Sequence, residues 1–119
     1  MLSTVHPLRG VDSVPVVFVV VGDRIGVPID TVKPKRHTSL QRLANVADDP
    51  RCVLLVEHYE TNWSRLWWVR LHAEAAPATQ VDDWLQALAE KYPAYRGAGS
   101  VHDVLVLSPV EVTGWSAAA

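Results

Sequence analysis

The chain has 119 residues, 49% of them apolar and 20% charged, with a net charge of −2. That size suits one domain around a single core, spanning residues 1–119. The slight negative charge excludes a general attraction to nucleic acid or to an anionic membrane surface, so any functional cations act locally. Cys52 is alone, which leaves no disulfide within the chain and no zinc-binding pattern. The opening Met1-Leu-Ser-Thr-Val-His-Pro7 is no signal peptide, and the longest apolar run, residues 16–21, is too short to cross a bilayer. A cytoplasmic protein is expected.

Ser3-Thr-Val5 reads as the remnant of an early strand. Val14-Pro-Val-Val-Phe-Val-Val-Val21 and Arg24-Ile-Gly-Val-Pro-Ile29 read as two strands around a Gly22-Asp23 turn with glycine at the positive-φ position. Pro15 and Pro28 cannot donate to a ladder and belong at a strand end, an edge or a bulge. Thr38 or Ser39 caps a helix that buries Leu40, Leu43, Ala44 and Ala47, and Pro50 stops it. Residues 52–59 and 66–73 form further strands. In the second of these, Trp68, Arg70 and His72 face one side and Trp67, Val69 and Leu71 the other. Thr79 and Asp82 make a shortened capping box for a helix that buries Val81, Trp84, Leu85, Leu88, Ala89 and Tyr92. Two last strands, residues 104–107 and 110–115, flank Pro109. Many short strands with two inserted helices predict a small antiparallel barrel of the α+β class.

Lys33, Lys35 and Arg36 crowd the bend that leaves a strand and enters the first helix. A helix start offers unpaired N–H groups and the positive end of its dipole, and nearby cations add charge-assisted hydrogen bonds. This is the outline of a phosphate pocket, and it points to a cofactor. The five histidines show no metal-ligand spacing. Ser64 and Ser100 lack a nucleophile-elbow context. His58 sits at a strand end as a general-acid candidate, and no residue declares itself catalytic.

Several segments together resemble the split-barrel flavin/deazaflavin oxidoreductases, the pyridoxamine-phosphate-oxidase-like class, and within it the actinobacterial coenzyme F420-dependent branch. They are Val14-Pro-Val-Val-Phe18, Gly22-Asp-Arg24, Lys33-Pro-Lys-Arg36, Arg42-Leu-Ala-Asn45 with Asp49-Pro-Arg51, and Trp63-Ser-Arg-Leu-Trp-Trp-Val-Arg70. Lys91-Tyr-Pro-Ala-Tyr95 and Val112-Thr-Gly-Trp115 complete the set. The resemblance implies a mainly β, six-stranded antiparallel split barrel with two or more short helices. It also implies a homodimer whose groove binds the cofactor, and hydride transfer to a small electron-poor substrate. Relatives carry a helix and a complete first strand ahead of the segment matching residues 3–10, so the front end is expected to be shortened.

The same resemblance distributes roles. Lys33, Lys35 and Arg36 hold the cofactor phosphate, with Lys35 and Arg36 ahead of Lys33, and Thr31 and Thr38 add hydroxyl donors. Pro15, Val16, Val17 and Phe18 face the ring and also serve the barrel core. Ile29 and Asp30 end the next strand beside the phosphate loop, where Asp30 either accepts from the cofactor or caps the loop. One of Trp67 and Trp68 belongs to the core and the other to the groove wall or dimer contact. Arg65 and Arg70 either reach a cofactor tail across the dimer or pair with Glu57 and Glu74. Trp84 and Tyr92 pack the second helix on the barrel. FMN is the alternative cofactor, since its phosphate suits the same cations. A cofactor-binding protein without turnover is the remaining alternative.

Overall fold

The computed structural model describes residues 1–30, 36–96 and 101–118, with the side chains of all of these except 30, 36–40, 101 and 102. Its strands are β1 Leu2–His6, β2 Gly10–Val14, β3 Val19–Val21, β4 Arg24–Asp30, β5 Arg51–His58, β6 Trp67–Pro77 and β7 Val101–Ser116. Helix α1, Arg36–Asp48, lies between β4 and β5, and α2, Asp82–Lys91, lies between β6 and β7. The strands form one seven-stranded antiparallel sheet in the order β2-β1-β5-β6-β7-β4-β3. This is the expected mainly β, antiparallel architecture with two helices.

The strand count differs from six for a definite reason. The run 14–21 does not stay in one strand; it breaks at residues 15–18, and its halves become opposite edges of the sheet. Val14 pairs with Leu2 on β1, whereas Val19 pairs with Gly26 on β4. Pro15 lacks the donor a ladder needs, so its site is a natural place to leave one strand partner for another. The break also dictates shape. Seven strands laid flat would separate the outer two by about 29 Å. Five Cα steps from Val14 to Val19 span at most ~18 Å. The sheet must therefore curl until its edges approach, giving an open barrel whose split is bridged by residues 15–18.

The curl encloses Leu2, Val27, Ile29, Cys52, Leu54, Leu71, Ala73, Ala75, Leu105 and Leu107, with Val46 of α1 closing one end. Val16 and Phe18 of the bridge pack against this core from the split. A second cluster lies outside the sheet. There α2 lays Trp84 and Leu88 on Val19, Val104 and Val106. Of the stripe expected for α2, Trp84 and Leu88 are buried and Val81, Leu85 and Tyr92 pack partly buried beside them, with Ala87 in the cluster in place of Ala89. Gly26 matters here because the Trp84 ring lies over it; a Cβ at that position would stand 2.5 Å from Trp84 Cε3. The hairpin turn is also as expected, with Gly22 at φ +61° between Val21 and Arg24.

Four local expectations change. Helix α1 starts at Arg36 rather than at Thr38 or Ser39, and it buries Asn45 and Val46 while Ala44 and Ala47 face solvent. Alanines offer little area to bury, and Asn45 gains more. Its Nδ2 donates to Thr4 Oγ1 and to Asp12 Oδ2, both at 2.9 Å, and its Oδ1 accepts from Gln41 Nε2 at 2.8 Å. The N-cap of α2 is Val81, without a side-chain cap bond, because Ala78 N–H still bonds Val104 O and the chain leaves the sheet too late for Thr79 to cap. The two strands expected at the carboxyl end are one. Pro109 pairs with Ala73 and Glu111 with His72, so Val110 is the extra residue of a β-bulge that accommodates the proline. Finally, neither Trp67 nor Trp68 enters the core; Trp67 is 38% exposed and Trp68 half-buried.

Asn45→Ala leaves the buried Thr4 hydroxyl without its donor, and urea unfolding should show a loss of about 1–3 kcal/mol. Gly26→Ala forces Trp84 off its seat, and the same measurement should show a loss of about 1–3 kcal/mol from overpacking.

Candidate functional site

Two groups of the sequence-nominated residues lie on described parts of the structure. The first is the bridge across the split. Along it the side chains alternate: Val16 and Phe18 turn inward, while Pro15 is exposed and Val17 is 38% exposed. Released from the sheet ladder, the bridge leaves Pro15 and Val17 at the surface. The second group is on the outer face of β6. There Arg70 Cζ lies 5.0 Å from the centroid of the Trp68 ring, a cation–π arrangement. Across the ladder, Trp68 pairs with Trp115 and Arg70 with Thr113. Thr113 Oγ1 is shielded from solvent with no hydrogen-bond partner among the described residues.

Strand β5 joins these groups. Leu55 pairs with Arg70 and Glu57 with Trp68. The same Leu55 and Glu57 line an open cavity of about 490 Å³ with Val16, Phe18, Val56 and Tyr59. Strand β5 thus stands between the bridge and the Trp68–Arg70 pair. From sequence, Leu55 is not singled out, and Glu57 enters only as an ion-pair partner for Arg65 or Arg70. Their signal was the alternation along β5, which turns 53, 55 and 57 outward, yet an apolar residue at an outward position needs the neighbouring strand to become informative.

Thr31, Lys33 and Lys35 fall outside the described residues, and Asp30 and Arg36 are placed by backbone only. Asp30 pairs with Val101 at the start of β7, and Arg36 opens α1. Thr113, beside Arg70, stands twelve residues further along β7, up to ~40 Å of strand. Within one chain Asp30, at the end of β4, and the Trp68–Arg70 pair sit toward opposite ends of that strand. Ile29 is a core side chain at 4% exposure, so its part is packing beside the bend.

Helix α1 is held against β1 and β2 by the Asn45 hydrogen bonds, and Gln41 and Arg42 line a cavity with Arg9, Asp12, Ser13 and Val14. The first half of the helix thus lies beside β2, the strand that leads into the bridge. Burial lowers the affinity of the Arg42 guanidinium for its proton. Hydrogen bonds from Arg9, and then from Asn45, hold the Asp12 carboxyl below the ordinary carboxylate range. His58, the general-acid candidate, bonds Glu60 at 2.5 Å and stacks on Trp67 with ring centroids 6.4 Å apart. No group of three or more His, Cys, Asp or Glu suited to a metal occurs among the described residues. No helix among them is long and apolar enough to cross a membrane.

No known family profile matches the chain, and no curated protein does. Solved structures do. A conserved hypothetical protein of Mycobacterium tuberculosis superposes with a TM-score of 0.72 at 16% identity, covering 98% of this chain and 75% of that one. A candidate pyridoxamine 5'-phosphate oxidase of Listeria innocua gives 0.65 at 15% identity, over 94% and 83%. A FAD-binding protein of Mesorhizobium loti gives 0.63 at 12% identity, over 95% and 79%. The fold is accordingly that of the pyridoxamine-phosphate-oxidase-like split barrels.

Burial raises the Cys52 thiol to about 11 from its ordinary 9.0. At pH 8 only about one thiol in a thousand would be ionised. A disulfide-exchange reagent at that pH should leave the native protein unmodified and label one thiol per chain in urea; fast labelling of the native protein would contradict the burial of Cys52.

Proposed function

We propose that this chain binds a phosphate-bearing flavin-type cofactor and serves as an oxidoreductase, with coenzyme F420 as the first reading. The carrying observation is the bridge. Between two sheet edges the fold leaves four residues out of the ladder, with Pro15 and Val17 exposed, and the inward Val16 and Phe18 line a cavity with Leu55 and Glu57, the ladder partners of Arg70 and Trp68. A flat ring needs an apolar wall and backbone groups at its edge, and an anionic tail needs cations beyond it.

FMN is the second reading, favoured by one observation. Among the structurally similar proteins is one described as FAD-binding and another described as a candidate pyridoxamine 5'-phosphate oxidase.

In this reading Lys33, Lys35 and Arg36 receive the phosphate, with Thr31 contributing a hydroxyl and Asp30 closing the strand beside them. Arginine clamps two phosphate oxygens, whereas lysine acts as a point charge. Pro15, Val16 and Val17 orient the ring, and Trp68 and Arg70 serve the far part of the groove. When bound, the ring supplies hydride chemistry; the protein supplies position, electrostatics and exclusion of water. The acceptor is a small electron-poor molecule.

A second copy of the chain completes the site. Asp30, the last described residue before the cationic stretch, and the Trp68–Arg70 pair lie toward opposite ends of β7, so in this reading opposed subunits each lend one part of the site. The surface supports such pairing. Trp67, Val69 and Val112 expose apolar area on the inner face of the β6–β7 end, and Trp115 does so on the outer face. An apolar strand end bare on both faces invites a partner.

The test is titration of the purified protein with coenzyme F420 and with FMN, followed by fluorescence. Binding of either at micromolar concentration is expected, and binding of neither would sink the reading. For the ligand that binds, Lys35→Ala or Arg36→Ala should weaken affinity about tenfold or more, ~1.4 kcal/mol. Binding without oxidation of the reduced coenzyme by enones, quinones or nitroaromatics would instead indicate a binding protein without turnover.

A further inference from the structure

Tyr92 does more than pack α2 on the barrel. Its hydroxyl donates to Phe18 O at 3.0 Å and accepts from Phe18 N at 3.4 Å. Lys91 Nζ donates to the same carbonyl at 2.6 Å and stands 4.1 Å from the Phe18 ring centroid. Two side chains from the end of α2 thus take the place that a strand partner would hold for the last residue of the bridge.

Their own seat is firm. Tyr92 N–H bonds the carbonyl of Leu88, a residue with no exposure, and the Tyr92 ring meets Tyr95 edge-on at 6.0 Å. The bridge is therefore tied, through one residue, to the second hydrophobic cluster rather than to the sheet alone. A segment released from its ladder has many conformations open to it, and orienting a ring requires one.

We propose that Lys91 and Tyr92 are positioning residues for the cofactor site, acting through Phe18 to set the Pro15 and Val17 surface against which the ring lies. This rests on the cofactor reading above. It predicts a split that general destabilisation would not produce: affinity for the ring changes while affinity for phosphate does not.

The experiment titrates the full chain and its Tyr92→Phe, Lys91→Met and Lys91→Arg variants with FMN and with coenzyme F420, uses inorganic phosphate as competitor, and records thermal midpoints. Tyr92→Phe and Lys91→Met should each weaken cofactor binding about fivefold or more, with phosphate competition unchanged and Lys91→Arg close to wild type. Lys91 is exposed, so its variants carry the test should Tyr92→Phe unfold. A wild type that binds neither cofactor removes the underlying reading and this inference with it. A wild type that binds, with variants that bind equally well or lose phosphate in parallel, overturns the positioning role alone.

Discussion

A four-residue link between the two outermost strands governs this fold. Strand β2 ends one side of the sheet and β3 ends the other, yet the chain passes from one to the other through residues 15–18. No flat sheet permits that passage, so curvature follows from chain connectivity before any side chain is considered. The enclosed space must then be filled. The inward side chains do so with Leu, Val, Ile and Ala, and no described tryptophan is needed within the barrel.

The same link creates a problem of backbone polarity. Residues that leave a ladder keep their donors and acceptors, and these need partners wherever water is excluded. At Phe18 the partners come from α2, through the Tyr92 hydroxyl and the Lys91 ammonium. At the other helix a comparable role falls to Asn45, whose amide ties α1 to Thr4 of β1 and Asp12 of β2. Polar side chains, rather than apolar stripes alone, decide where each helix sits relative to the barrel. Packing supplies the larger energy, but hydrogen bonds with defined directions select one arrangement among several that bury similar area.

The proposed site inherits this layout. Its candidate ring wall lies at the split, its candidate cations at the bend between β4 and α1, and its stacked Trp68–Arg70 pair near the far end of β7. A single subunit spreads these features along the whole of its longest strand. In the proposed reading a second subunit folds that length back, so that one cofactor meets the bend of one chain and the arginine of the other. The exposed apolar surface at the β6–β7 end is the physical argument for that partner, since such area is costly to leave in water.

Local chemistry could be read from residue order. The Gly22-Asp23 hairpin, the stripe of α2, the stop at Pro50 and the strand character of β5 and β6 all follow from turn residues and periodicity. What residue order did not reveal was which strand each segment would pair with. The run 14–21 has the composition of one strand, and only the competing edges of β1 and β4 divide it. Leu43 packs on the core as its spacing predicts, but Ala44 and Ala47 do not, and only the presence of Thr4 and Asp12 across the gap makes Asn45 an inward residue of α1. Tyr92 read as packing because a hydroxyl finds its partner 74 residues away. Periodicity is a property of neighbours in sequence and survives in any tertiary setting; pairing, register and hydrogen-bond partners belong to segments far apart in the chain, and only the closed shape decides them.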